Sequence, residues 1–405
     1  MTLSHRRGAT RITLVDAAGA SLAHTPVRVE QKGHAFGFGN TGFDFLDCEN
    51  DGAHSSPCDQ RAELFLEVFN AATLPFYWAR FEPERGKPDT ARLMAAARYL
   101  ADRGVTVKGH PLVWHTLAPE WLLPLDDAAV EAAIRERITR DVTGFAGVID
   151  LWDAINEVCI LPRFDAEVNA ITRLAQSKGR VEMVRLAVDT AREANPNARL
   201  VLNDFILTDE YEHLIEDCLA AGVQLDAIGV QTHMHQGFRG EDEIAALLER
   251  FGRFGVPVQM TETTLVSGDL MPAHIVDLND YQPDHWPSTP EGEARQADEM
   301  VRHYTTVLEN PAVESLTYWG FADAGSWLGA PSGFVRVDGS TKPSYDALLG
   351  LVKGDWWLSP TEMVSDADGV VTIEGFAGDY RVSARGSEAS VEVGRSVTTE
   401  TTVTL

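Results

Sequence analysis

Leu200-Val201-Leu202-Asn203, the amphipathic stretch 209–221 and Ala227-Ile228-Gly229-Val230-Gln231 form the passage that decides the fold. The two short runs are apolar at nearly every position, as in strands covered on both faces. The stretch between them has helical periodicity, so the passage reads strand, helix, strand. That order places the two strands parallel, with the helix as the crossover.

The same grammar extends outward in both directions. Strands are predicted over Phe36–Asn40, Ala71–Tyr77, Thr106–His110, Val148–Trp152, Leu200–Asn203, Ala227–Gln231, Val256–Met260 and Ser315–Trp319. Helices are predicted over 59–70, 90–103, 127–144, 180–194, 209–221, 241–253, 291–309 and 343–352. Eight such units predict an α/β chain closed into a (β/α)8 TIM barrel over residues 36–355 rather than an open sheet. Residues 11–35 alternate apolar and polar around Ala17-Ala18-Gly19-Ala20, which predicts a β-hairpin in an N-terminal segment, 1–35. Past Trp357 the helical patterns stop. Period-two runs such as Val370-Val371-Thr372-Ile373 predict a C-terminal β appendage over 356–405.

With 405 residues, 44% of them hydrophobic, the chain can bury a core of barrel size. Its net charge of −27 repels phosphate backbones and anionic lipid, so neither nucleic acid nor a membrane is an expected partner. The start, Met1 to Arg7 followed by Ile12-Thr13-Leu14-Val15-Asp16, is too interrupted for a signal peptide. A cytoplasmic address is expected unless a leader has been removed. Of the four cysteines, Cys48 and Cys58 bracket a polar loop and could pair in an oxidising compartment, whereas Cys159 and Cys218 read as buried thiols. Nothing in the chain speaks to oligomeric state.

In a parallel barrel the residues at the carboxyl ends of the strands share one pocket. The fourth strand runs out into Leu151-Trp152-Asp153-Ala154-Ile155-Asn156-Glu157 and the seventh into Val258-Gln259-Met260-Thr261-Glu262. Retaining hydrolysis of a glycoside needs a carboxylic acid to protonate the leaving oxygen and a carboxylate roughly 5 Å away to attack the anomeric carbon. Glu157 and Glu262 supply such a pair, although either alone reads equally well as a solvated loop residue. Asn156 beside the acid can hold a sugar hydroxyl.

Histidine and tryptophan crowd the same rim: His110, Trp114 and His115 after the third strand, Gln231, His233 and His235 after the sixth, Trp319 and Trp327 after the eighth. Aromatic faces cover the C–H side of a pyranose, and imidazole or amide groups bond its hydroxyls. Each histidine taken singly is also read as a satisfied loop residue. A metal on His233-x-His235 lacks an evident third ligand, so no metal or other cofactor is expected.

These motifs together resemble those of glycoside hydrolase family 10, the β-xylanase family. The likeness rests on Gly109–His115, Trp152–Glu157, Gly229–His233, Thr261-Glu262 and Trp319–Trp327, in that order, and runs from about Phe36 to Leu351. The resemblance implies Glu157 as acid/base, Glu262 as nucleophile with His233 bonded to it, and Asn156, His110, Trp114, Gln231, Trp319 and Trp327 around the sugar at the cleaved bond. The chain departs from the family after the second strand. There a Glu-Asn-x-x-Lys-Trp run gives way to Thr73-Leu74-Pro75-Phe76-Tyr77-Trp78, shortened by two residues before Glu82-Pro83. Leu117 stands where the family has glutamine, and Thr263-Thr264 where Leu-Asp often follows the nucleophile. In the family those second- and third-strand positions hold the non-reducing side of a xylan chain. Tyr77 and Trp78, with Phe76, are therefore expected to contact substrate as an apolar wall or an aglycone platform. The long connection Leu265–Pro290, with Asp280, Tyr281, His285 and Trp286, reads either as a pocket cover or as a surface loop.

The expectation is a metal-free retaining β-glycosidase for xylo- or gluco-configured oligosaccharides or plant glycosides. Alternatives are an endo-1,4-β-xylanase with an altered subsite and a carbohydrate-binding pseudoenzyme. A barrel lyase or isomerase is disfavoured for want of a metal cluster or phosphate loop.

Overall fold

The computed structural model describes residues 3–47, 57–395 and 397–405. Its strands are β1 (Arg7–Val15), β2 (Pro26–Gln31), β3 (Gly37–Thr41), β4 (Ala71–Pro75), β5 (Thr106–His110), β6 (Leu151–Asn156), β7 (Arg199–Asp204), β8 (Ala227–Met234), β9 (Val258–Leu265), β10 (Val313–Tyr318), β11 (Thr361–Val364), β12 (Val370–Phe376), β13 (Gly378–Ala384), β14 (Ser387–Val393) and β15 (Thr398–Thr404). The helices are α1 (Pro57–Val68), α2 (Trp78–Phe81), α3 (Thr90–Ala101), α4 (Asp127–Gly144), α5 (Ala170–Lys178), α6 (Arg180–Ala194), α7 (Asp209–Ala220), α8 (Glu241–Gly252), α9 (Pro290–Glu309) and α10 (Pro343–Gly350).

Strands β3 to β10 pair in sequence, all in parallel, and β10 closes back on β3, so the barrel is complete. Their residues are buried from both sides: β7 reads Leu200, Val201, Leu202, Asn203 and Asp204 all buried, and β9 is buried throughout. Helices cover the outside with apolar faces; α6 buries Met183, Val184, Ala187, Val188 and Ala191 at helical spacing. Side-chain caps fix where several begin. Asp126 accepts from the Ala129 amide, Asn169 from Thr172 and Thr289 from Gly292. The fourth strand begins at Leu151, three residues later than predicted, because Val148 and Ile149 belong to the turn that ends α4. Helix α5, not foreseen, is nine residues long and signalled in sequence only by its Asn169 cap.

The N-terminal strands do turn at Asp16–Ala20, with an isolated antiparallel bridge from Val15 to Ser21, but then part company. Strand β1 lies between β12 and β15, antiparallel to the first and parallel to the second, while β2 lies between β11 and β13, with β14 outside β13. The two sheets enclose a second core of Ile12, Leu14, Val27, Val29, Ile373, Val382, Val393 and neighbours. Strands from both ends of the sequence thus build one sandwich. It joins the barrel through Arg6, just before β1, whose Nε donates to the Leu308 carbonyl at 2.9 Å, and through Phe376 of β12, which is buried in the barrel's core. Cys159 and Cys218 are buried free thiols, and the Cys48–Cys58 pairing lies outside the described residues. Among the described residues no helix is long and apolar enough to cross a membrane.

Candidate active site

Both strands that position the glutamates, β6 just before Glu157 and β9 with Glu262 within it, carry an irregularity in register. In β9, Val230 of β8 faces Met260 but the next residue, Gln231, faces Glu262, so Thr261 is an extra residue. The same extra residue shows against β10, where Leu316 faces Met260 and Tyr318 faces Thr263. In β6, Ala154 is extra against β7. A regular strand sends consecutive side chains to opposite faces, and a bulge cancels that alternation. Thr261 and Glu262, though adjacent, therefore both reach the barrel interior and bond the same residue, Asn203. Asp153 and Asn156, three apart, both point inward as well, to His110 and to Asn203.

Asn203, at the end of β7, ties the two sides together. Its Nδ2 donates to Asn156 Oδ1 at 2.8 Å and to Glu262 Oε1 at 2.9 Å, and its Oδ1 accepts from Thr261 Oγ1 at 2.5 Å. The space it fills exists because residue 229 is glycine: a Cβ there would stand 2.5 Å from Asn203 Oδ1. Gln231 Nε2 donates to Asn156 Oδ1 at 3.0 Å, so the Asn156 carbonyl is fully engaged. His233 donates through Nε2 to Glu262 Oε2 at 3.2 Å and accepts through Nδ1 from the Thr264 hydroxyl at 2.9 Å. His110 turns Nδ1 to Asp153 at 2.6 Å, where Lys108 also bonds, and sets Nε2 4.0 Å from Glu262 Oε1.

The two glutamates are consequently pushed in opposite directions. Burial would raise the Glu262 carboxyl, but the His233 bond and the nearby His110 outweigh it and hold its pKa below the ordinary value. Glu157 is pushed up to about 8, first by burial and then by the negative charges of Glu262 and Asp204, against the lowering bond from Trp114. That bond, Trp114 Nε1 to Glu157 Oε2, is 2.6 Å long. Glu157 sits at φ 58, a left-handed conformation that costs a side chain roughly 1–2 kcal/mol, with its amide bonded to the Asn203 carbonyl at 2.8 Å.

Aromatic rings surround this centre. Trp319 lies 5.1 Å from His110, Tyr77 is 5.8 Å from His110 and 5.6 Å from Trp114, and Trp327 is 4.7 Å from His233. Three predicted contacts fall elsewhere. Trp78 is 3% exposed, bonds Glu82 through Nε1 and packs on Trp121 under Arg137; with Phe76, wholly buried against Trp152, it belongs to the core. His115 lies behind Glu157 with Nε2 at 3.7 Å from its carboxylate, beyond hydrogen-bond reach. Packed against Phe164, it is pushed by burial down to about 3. Among the described residues no group of three or more His, Cys, Asp or Glu is arranged to hold a metal. The Leu265–Pro290 connection folds over a small core of its own, Val266, Met271, Trp286 and Ala330, and seats Trp286 6.1 Å from His235. Asn203, Asp153 and Asp204 are absent from the sequence-based set, although the rule that singled out Glu157 and Glu262, polar residues at the carboxyl end of a strand, applies to them equally.

The family model for Glycosyl hydrolase family 10 matches residues 46–350, well over half of the chain. Endo-1,4-beta-xylanase C of Paenibacillus barcinonensis is 25% identical over 358 residues, covering 76% of this chain and 31% of that protein. Endo-1,4-beta-xylanase B of Thermotoga neapolitana is 25% identical over 317 residues, 72% of this chain and 84% of that one. The chain thus spans about a third of the first relative and most of the second. Xylanase 10B of Thermotoga petrophila, solved with xylobiose, superposes with a TM-score of 0.64 at 21% identity, over 79% of this chain and 95% of that one, and attests the fold.

Proposed function

Since the chain belongs to glycosyl hydrolase family 10, we propose that it is a retaining β-glycosidase acting on short xylo- or gluco-configured oligosaccharides or glycosides, with Glu262 as nucleophile and Glu157 as acid/base. The observation that carries this reading is the contrast in the surroundings of two glutamates that meet the same asparagine: Glu262 accepts from Asn203 and His233 and its pKa is lowered, whereas burial raises that of Glu157, whose side chain accepts from Trp114. In the first step a Glu262 oxygen bonds the anomeric carbon as the bond to the leaving oxygen breaks, and that oxygen takes the Glu157 proton. In the second, Glu157 removes a proton from water, which displaces Glu262 and restores both groups. Asn156, its carbonyl bound by Asn203 and Gln231, has its amide nitrogen left to serve the sugar 2-hydroxyl. The relatives are endo-1,4-beta-xylanases, which favours xylo-configured substrates.

Azide rescue tests the assignment. With an activated aryl glycoside, Glu157→Ala should be rescued to give the β-glycosyl azide and Glu262→Ala the α-azide. Swapped anomers would exchange the roles, and inversion of configuration by the wild type would end the mechanism.

A further inference from the structure

Phe43, in the turn that follows β3, meets the Tyr77 ring edge-on at 6.1 Å and the Trp319 ring edge-on at 5.7 Å. Trp319 follows β10, Tyr77 follows β4 and Trp114 follows β5, so Phe43 bridges a gap between rings that come from neighbouring strands. The four rings make an unbroken arc over β10, β3, β4 and β5, centred on His110, which touches Trp319, Tyr77 and Trp114. The arc adjoins the nucleophile, because His110 Nε2 lies 4.0 Å from Glu262 and the Trp319 ring 6.3 Å from His233. Its indole donor at Trp114 is already spent on Glu157. An aromatic arc of this kind covers the C–H faces of one sugar ring and, beyond the Tyr77 hydroxyl and the Trp319 indole N–H, it offers nothing to pair the hydroxyls of a second ring.

We infer that Phe43 is a specificity-determining residue: it completes a wall enclosing the single sugar that becomes attached to Glu262, so that hydrolysis proceeds one residue at a time from the non-reducing end. This rests on the assignment of Glu262 as nucleophile. A chain lying against a wall on the side of the attacked ring can extend only toward the leaving group, which makes the action exo.

The test uses xylo- and cello-oligosaccharides labelled at the reducing end, with products analysed during the first few per cent of conversion. The wild type should release monosaccharide and the label on a chain one unit shorter. Phe43→Ala, with folding checked by its thermal transition, should release disaccharide or longer fragments at least ten-fold more often relative to monosaccharide, and lose kcat/KM on aryl β-monoglycosides. Should Phe43→Ala not fold, Tyr77→Ala and Phe43→Leu open the same wall. Internal cleavage by the wild type that still depends on Glu262, or an unchanged product pattern in the folded wall variants, refutes this inference alone. Inactivity on all glycosides, or full activity in Glu262→Ala, refutes the catalytic assignment and the inference together.

Discussion

Replacing Asn203 by leucine, similar in volume and unable to donate, removes three hydrogen bonds at once: to Asn156, to Glu262 and from Thr261. A hydrogen bond to an ionised carboxylate contributes about 1.5–3 kcal/mol and a neutral one about 0.5–1.5 kcal/mol. The ground state shares part of that loss, so we expect roughly 2–4 kcal/mol off transition-state stabilisation, a fall in kcat/KM of about 30- to 1,000-fold. The sign of the pH effect is also determined. Donors favour the ionised form of Glu262, so losing one raises its pKa, and because the ionised form is the active one the acidic limb of the profile should move to higher pH. The assay is kcat/KM on an aryl β-glycoside across pH, with the thermal transition as a folding control. A folded variant within about three-fold of wild type and with an unmoved acidic limb would refute the role given to Asn203.

Activity requires Glu262 ionised and Glu157 protonated, so kcat/KM of the wild type should rise at acidic pH, below the ordinary carboxylate value, and fall through about pH 8, as a pH–rate profile will show. The raised folded pKa of Glu157 means that its contribution to stability is complete below the unfolded value and is lost as pH rises toward 8; Glu157→Gln should therefore raise the melting temperature by an amount that grows from mildly acidic to mildly alkaline pH. Polymeric xylan should be hydrolysed one to three orders of magnitude less efficiently than short oligosaccharides or aryl glycosides, measured as reducing-sugar release, because Tyr77 and Leu117 stand where the family has a lysine and a glutamine and its asparagine has no counterpart; comparable rates on insoluble xylan would contradict this.

The barrel was legible because its signal is repeated: eight apolar runs, each followed by an amphipathic stretch, leave few other closures. That Glu157 and Glu262, which both bond Asn203, would meet around one interior was legible for the same reason, since strand ends converge without any knowledge of contacts. Trp78 was misplaced because an aromatic residue after a strand reads alike whether it faces substrate or packs under a buried arginine, and only the short helix α2 decides that it turns to Glu82 and Arg137. The bulges at Thr261 and Ala154 are invisible in sequence, yet they explain how neighbouring residues serve one interior. Phe43 carries no motif at all; its role arises from β3 standing between β10 and β4.

The sandwich has a consequence for synthesis. Strand β1 pairs Arg11 with both Thr372 and Glu400, and β2 pairs Val29 with Thr361 and Val382, so no sheet partner of the first two strands exists until the barrel has been made. At about 5–20 residues per second, the ribosome takes on the order of 20 s to a minute to supply the intervening segment. For that interval Ile12, Leu14, Val27 and Val29 have no core to enter, and two strands with both edges naked accompany a barrel that can already close. The nascent chain is therefore most exposed to aggregation at these two strands, where a chaperone that binds short apolar strands would protect it.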